Sequence, residues 1–354
     1  MTVLTKHILP GNSVSRKIKH LRALPVMALL AAFLFNCHPA PKNNALVPKI
    51  SLVNSPSDIV TLGARYLAGK IDTLSSGKIK PRVYDSGVLS GGKGSAEVEM
   101  CQEGAIEIHI TTTAYLANLV PETSIVSLPF LFRDIDQVYS LIKNKSEALE
   151  KINEELNSKN LNVIAWWPRG FRQLTNNRRP VKNPGDIKGL KFRVMNNLLY
   201  VDIMNGLGAN PVPMDWGEVY NGLQLNTIDG QENAEDVIYS SRLYEVQKYM
   251  TVWDYSTDIE VVLVNKKWWN ALKPGQREII QSAADSSVTF EVQLLKRNTE
   301  ELREKIKEMG VQIYYLTPDE KKSFREAVEP VWAEYRKIFP KEFMDLFLKD
   351  IGQN

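Results

Sequence analysis

The feature that most restricts the fold is a run of 34 residues, 276–309, with neither glycine nor proline. Pro274 and Gly275 stand before it and Gly310 after it. Ile280, Ala284, Val288, Val292, Leu295, Leu302, Ile306 and Met309 recur along it at helical spacing. One continuous helix of that length would reach roughly 50 Å at 1.5 Å per residue, longer than one small domain needs. A chain of 354 residues has room for two domains. The run therefore reads as a brace across both. A coiled-coil hairpin is the alternative, but the a/d spacing is not sustained.

Upstream, strands and helices alternate. KISLVN (49–54) reads as a strand, 58–75 as an amphipathic helix and KIKPRVYD (78–85) as a second strand. A glycine-rich turn, GGKGS (91–95), then leads into a helix and a strand near 106–111. That turn lacks the spacing of a phosphate loop and reads as a helix entry. Residues 134–160 read as helix and LNVIAWW (161–167) as a buried strand. The order predicts an α/β fold with largely parallel sheets.

The first 36 residues stand apart. Lys6, Arg16, Lys17, Lys19 and Arg22 form a basic start with no acid, and the apolar run 23–35 follows. Thirteen apolar residues suit a signal-peptide core and are too few for a membrane-spanning helix. Cys37 comes next, with Leu34 three residues before it, as in a bacterial lipoprotein box, although Phe35 and Asn36 replace the usual small residues. The reading is a lipoprotein-type signal (1–36), a lipid anchor at Cys37 and a linker (37–47), with plain secretion as the alternative. The leader holds five of the 44 basic residues and none of the 41 acids, which leaves 39 against 41, a net −2. The basic balance of the whole chain thus belongs to the leader, and no nucleic-acid partner is expected.

Catalytic and metal signatures are missing. Cys101 is the only cysteine beyond Cys37, so no internal disulfide is expected. His38 and His109 are the only histidines beyond residue 36, and HExxH, GxSxG and GxxxxGK[ST] motifs are absent. No metal, no cofactor and no enzymatic activity are expected. Asp229 and Glu232 could resemble a general acid/base pair, but no nucleophile stands nearby in the sequence.

The segment 169–194, RGFRQLTNNRRPVKNPGDIKGLKFRV, carries eight Lys or Arg residues and one acid, Asp186. Followed by GANPVPMDWGEVYNGLQ and IDGQENAEDVIYSSRLYEVQKYM, it resembles the solute-binding proteins of TRAP transporters, the DctP family, over about 48–339. The resemblance implies a two-lobed clamshell, like that of periplasmic binding proteins, closing on a ligand with a long helix bridging both lobes. The lobes implied are 48–168 plus 259–297 and 169–258 plus 298–354.

It also implies site residues. Arg193 would pair with a ligand carboxylate, Arg172 would approach the same group and Asn233 would hydrogen-bond it. Trp216 would pack on the ligand, and Asn54 and Thr112 would touch its variable end. Arginine suits the first role because its planar fork matches both carboxylate oxygens, where lysine offers a point charge. Structural roles compete: Arg193 or Arg172 in a salt bridge, Trp216 in a core, Asn233 as a helix cap. Arg178, Arg179, Lys182 and Lys188 read as a solvated loop face. Ala234 replaces the proline that usually follows DGQEN, and Tyr255 and Ser256 fall where many members carry a histidine-containing segment. Both departures bear on ligand identity.

The function implied is extracytoplasmic capture of a small organic acid anion: a sugar acid, a keto acid or a C4-dicarboxylate. The polar surroundings of RGFRQLTNN lean toward a sugar acid. A monomer, held at the membrane by its lipid alone, would hand the ligand to the small and large TRAP membrane subunits for uptake driven by an ion gradient. A periplasmic sensor that signals to a receptor is the alternative.

Overall fold

Eleven strands in chain order are β1 (Lys49–Ser51), β2 (Arg82–Tyr84), β3 (Ile108–Thr112), β4 (Leu161–Pro168), β5 (Gln173–Asn176), β6 (Lys191–Val194), β7 (Asn210–Pro213), β8 (Gly230–Asn233), β9 (Tyr249–Val252), β10 (Ile259–Asn265) and β11 (Gln312–Tyr315). They belong to a computed structural model that describes residues 45–353. The basic leader, the apolar run 23–35 and Cys37 lie outside the described residues. The strands form two sheets, ordered β2-β1-β3-β10-β4 and β11-β9-β5-β8-β6-β7. The fold is the expected two-lobed α/β arrangement, one sheet to each lobe.

The sheets are mixed rather than largely parallel. β10 runs antiparallel to β3 and β4, and β5 runs antiparallel to β8 and β9. The reason is topological. A parallel neighbour needs a crossover within its own sheet. β5 and β10 instead arrive directly from the other sheet, after β4 and β9.

The helix Pro274–Glu308 is continuous over 35 residues. Proline in its first turn and Gly310 in the left-handed region (φ 95°) beyond its end explain both limits. Its stripe divides between two cores. Ile280, Ala283, Ala284 and Leu295 pack with Ile50, Leu67 and Val262 of the first lobe. Ile306 packs with Val219, Ile238 and Met250 of the second. The brace is thus a helix bridging both lobes, without a hairpin.

Other elements depart from the sequence reading in detail. Residues 134–160 form two helices, Ile135–Lys143 and Glu147–Ser158. Lys145 takes a left-handed turn (φ 52°) between them, and Ser146 caps the second by accepting from Leu149 N. The terminal helix Lys341–Asp350 packs on Glu147–Ser158 of the first lobe, although 298–354 reads as second-lobe sequence. Asp350 accepts from Ser146 Oγ at 2.5 Å and from Ala148 N at 3.1 Å, which ties the chain end back across the molecule. No helix among the described residues is long and apolar enough to cross a membrane.

Candidate ligand-binding site

The chain crosses between lobes at 169–172 and again at 253–258, and both crossings are charged. Arg169, Arg172, Asp258 and Glu260 are all buried there. Burying a charge is costly unless it is paired, so the pairing determines what each group can do.

Arg172 is paired. Its Nε and Nη2 reach the Glu232 carboxylate, Nη2 also donates to Glu232 O at 2.7 Å, and Nη1 donates to Asp258 Oδ2 at 2.7 Å. Of five guanidinium N–H groups, these contacts leave one on Nη1. Burial opposes the charge on Arg172; Glu232, Tyr200 and Asp258 outweigh it and hold the group well above its ordinary value. Tyr255 donates to Glu232 at 2.8 Å and Tyr200 to Asp258 at 2.7 Å. Arg172 is thus the centre of a paired network, with one Nη1 N–H left over at the cavity wall.

Arg169 is paired as well. It meets both Asp58 oxygens, at 3.1 and 3.0 Å, and lies 2.9 Å from Asp236. Glu260 is more distant, 3.7 Å from Arg169 Nη1.

Arg193 differs from both. Its exposure is 1%, yet no carboxylate lies within salt-bridge distance among the described residues. Nε donates to Met214 O at 3.0 Å, Nη2 has no hydrogen-bond partner among the described residues, and the Trp216 ring lies 5.3 Å from the guanidinium carbon. Cation–π attraction of this kind supports a charge without satisfying its N–H groups. Burial, with Arg172 nearby, pulls Arg193 below its ordinary value against opposing effects of Tyr115 and Glu232.

One cavity between the lobes is lined by all six residues singled out in the sequence: Asn54, Thr112, Arg172, Arg193, Trp216 and Asn233. It is small, about 50 Å³, so an occupant touches both walls at once. Asn233 lies at the end of β8 and donates to Gln231 at 2.7 Å; the following helix is capped at Ala234 instead, without a side-chain bond. Asn54 donates to Asp58 at 3.1 Å, and Thr112 caps the short helix Thr113–Leu116. Trp216 begins the helix Trp216–Gln224 and is half-buried at the cavity edge.

Asp58, Tyr115, Arg169, Asp258 and Glu260 line the same cavity without having been singled out as site residues. One signal was available. Glu260 is a lone acid in IEVVLVN, an otherwise apolar strand where an inward carboxylate is expensive. Tyr255 and Ser256 stand behind the cavity, bonded to Glu232 and Ser127. The loop arginines remain outside: Arg178 pairs with Asp229 at 2.7 Å, and Arg179 donates to backbone carbonyls.

The lobes meet tightly at the cavity rim. Gly92 has φ 82°, and a Cβ on it would lie 2.7 Å from Gly217 Cα. A Cβ on Gly217 would lie 2.9 Å from Gly91 O. Asn197 adds a bond to Ala114 O at 2.8 Å across the same cleft.

Two lobes, a bracing helix and a buried cavity whose Arg193 has no salt bridge among the described residues define a two-lobed binding-protein fold. The chain belongs to the bacterial extracellular solute-binding protein family 7, the DctP family, whose model matches residues 50–338. Members of this family are the solute-binding proteins of TRAP transporters. The 2,3-diketo-L-gulonate-binding periplasmic protein of Escherichia coli is 28% identical over 299 residues, covering 84% of this chain and 86% of that protein. The C4-dicarboxylate-binding protein DctB of Bacillus subtilis is 30% identical over 300 residues, covering 84% and 85%. The crystal structure of a sugar acid binding protein from Advenella mimigardefordensis, in complex with galactonate, superposes with a TM-score of 0.84 at 28% identity, covering 87% of this chain and 98% of that one.

Proposed function

We propose that the protein captures a small organic acid anion in this cavity, with Arg193 as the group that holds the carboxylate. The observation that carries the reading is the buried Arg193 guanidinium, which among the described residues has no acidic partner and an Nη2 without a hydrogen bond. A bound carboxylate supplies both the missing charge and the missing acceptor, and in a closed cleft such a pair is strengthened by the exclusion of water. Asn233 and the remaining Nη1 N–H of Arg172 add neutral and charged donors beside it. Trp216 packs on the ligand, while Asn54 and Thr112 face its other end.

Closure of two lobes, 48–168 with 259–297 and 169–258 with 298–340, traps the ligand; membership of the two sheets supports this division. The ligand then passes unchanged to the two TRAP membrane subunits, with uptake driven by an ion gradient. Asp229 and Glu232 are spent on separate partners, Arg178 and Arg172, which disfavours a shared acid/base role. The protein acts as a monomer in the periplasm or cell envelope, anchored by a lipid on Cys37.

Calorimetry of the purified chain against D-galactonate, D-glucuronate, 2,3-diketo-L-gulonate and succinate tests the reading. At least one of them binds with a Kd of about a micromolar, near −8 kcal/mol. Absence of binding by every carboxylate in the panel overturns it.

The rim contact gives a second expected result. Gly217→Ala replaces glycine in a helix, a change that helix propensity favours, so the ligand-free protein unfolds at the same temperature or higher. The added methyl meets Gly91 O on closing, and overpacking of this kind costs about 1–3 kcal/mol. Affinity for the bound carboxylate therefore falls about tenfold; unchanged affinity in calorimetry would show that closure does not depend on this contact.

A further inference from the structure

The cavity has a second unspent group opposite Arg193. Glu260 lies on β10, in register with Thr112 of β3. Its exposure is 5%, and it lines the cavity. Its nearest cation, Arg169 Nη1, is 3.7 Å away, too far for a hydrogen bond. Arg169 is already engaged by Asp58 and Asp236. This end of the cavity thus gathers three carboxylates around one guanidinium, whereas Arg193 has no carboxylate within salt-bridge distance among the described residues.

We propose that the cavity selects a monocarboxylate whose opposite end carries hydrogen-bond donors, the hydroxyls of a polyhydroxy acid, and that Glu260 reads those donors and rejects a second carboxylate. The proposal rests on the reading that Arg193 holds the ligand carboxylate. With the ligand so oriented, its far end meets Glu260, Thr112 and Asn54. A second carboxylate there would add a fourth acid around Arg169, and like charges placed together at a closed interface discriminate strongly against a partner. A hydroxyl both donates and accepts. It can give its proton to Glu260 while taking one from Asn54 or Thr112. Burial pushes Glu260 up to about 7, with Arg169 opposing the rise and Asp58 adding to it. Near neutrality both forms of Glu260 are therefore accessible, and a hydroxyl satisfies either. An ammonium group needs the ionised form alone.

The test is calorimetry at pH 7.5 with D-galactonate, succinate, 4-aminobutanoate and butanoate, on the parent and on Glu260→Gln. In the parent, D-galactonate binds about 100-fold or more tighter than succinate, and butanoate binds weakly. Glu260→Gln keeps the shape, lowers D-galactonate affinity about tenfold and narrows the galactonate-to-succinate ratio by tenfold or more. Succinate binding the parent as tightly as D-galactonate overturns the proposal, and that comparison needs no variant to fold. A ratio unchanged in a folded Glu260→Gln also overturns it. Tighter binding of 4-aminobutanoate than of D-galactonate assigns the donor to an ammonium and overturns the polyhydroxy class. Binding of none of the four, with a carboxylate of the wider panel still bound, sinks this inference alone; binding of no carboxylate sinks the proposed function with it.

Discussion

Arg193→Met lowers carboxylate affinity by about 30-fold to several thousand-fold, while the ligand-free protein keeps its stability or gains some. The first half follows from the cost of removing one partner of a buried, hydrogen-bonded charge pair, about 2–5 kcal/mol. The second follows from what Arg193 lacks. It forms no salt bridge among the described residues, and its Nη2 is without a hydrogen bond. In the closed cleft without a ligand it is a buried charge whose desolvation is offset by Met214 O, the Trp216 ring and the favourable effects of Tyr115 and Glu232 alone, with no salt bridge among the described residues. Methionine retains much of the stem and removes the charge, so unfolding shifts by less than about 1 kcal/mol or moves upward, as is common where a binding group is held at the expense of stability. Arg193→Lys recovers only part of the affinity, because an ammonium cannot match two carboxylate oxygens with a planar fork. Calorimetry and thermal unfolding without ligand check both halves. Retained affinity in Arg193→Met removes Arg193 from the site; strong destabilisation shows that it serves the fold.

Arg172→Ala behaves in the opposite way. It leaves Glu232 and Asp258 buried without their cation, and breaking a buried pair from one side costs about 3–5 kcal/mol. For a chain of this size that corresponds to a melting temperature lower by roughly 5–10 °C. The Tyr255 and Tyr200 hydroxyls still donate to the two carboxylates, but neutral donors do not replace the charge. Adding Glu232→Gln to Arg172→Ala recovers part of the loss, since it removes one of the orphaned charges. Thermal or urea unfolding of the parent and the two variants measures this. If Arg172→Ala unfolds like the parent, the network contributes nothing to stability, and Arg172 returns to the role of a second ligand arginine. Affinity also falls in Arg172→Ala, through the lost Nη1 donor and the disturbed wall, so stability rather than binding separates the two arginines.

The four residues drawn from the motifs, Arg172, Arg193, Asn233 and Trp216, line one cavity because each motif is a local unit, and Asn54 and Thr112, placed by the resemblance without a motif of their own, line it too. LKFRV makes a short strand, DGQEN another, and MDWGEVY a helix start. Their family resemblance carried the roles. The bracing helix was legible in its own right, since an uninterrupted apolar stripe without glycine or proline has few other outcomes. The break at Lys145 was not, because 134–160 keeps a helical pattern through a turn that one residue in the left-handed region produces. The strand directions were hidden for another reason. The alternation of strands and helices suggests crossovers, and nothing local marks β5 and β10 as arrivals from the other sheet.

What the sequence determined by itself is the set of elements, the brace between lobes, the family and the positions that face the cleft. The elements and the brace follow from spacing within a few turns of helix or a few residues of strand; the family and the cleft positions follow from the resemblance of the motifs to the DctP family. The tertiary structure decided which charges are free. Arg172 and Arg193 are both inward arginines in or beside short strands, and nothing within the segment 169–194 tells them apart. Glu232 and Asp258, 60 and 86 positions away along the chain, come to rest on Arg172. Neither is within salt-bridge distance of Arg193. Whether a buried charge stabilises the fold or waits for a ligand depends on its neighbours in space, and those neighbours are set only when the two lobes are assembled.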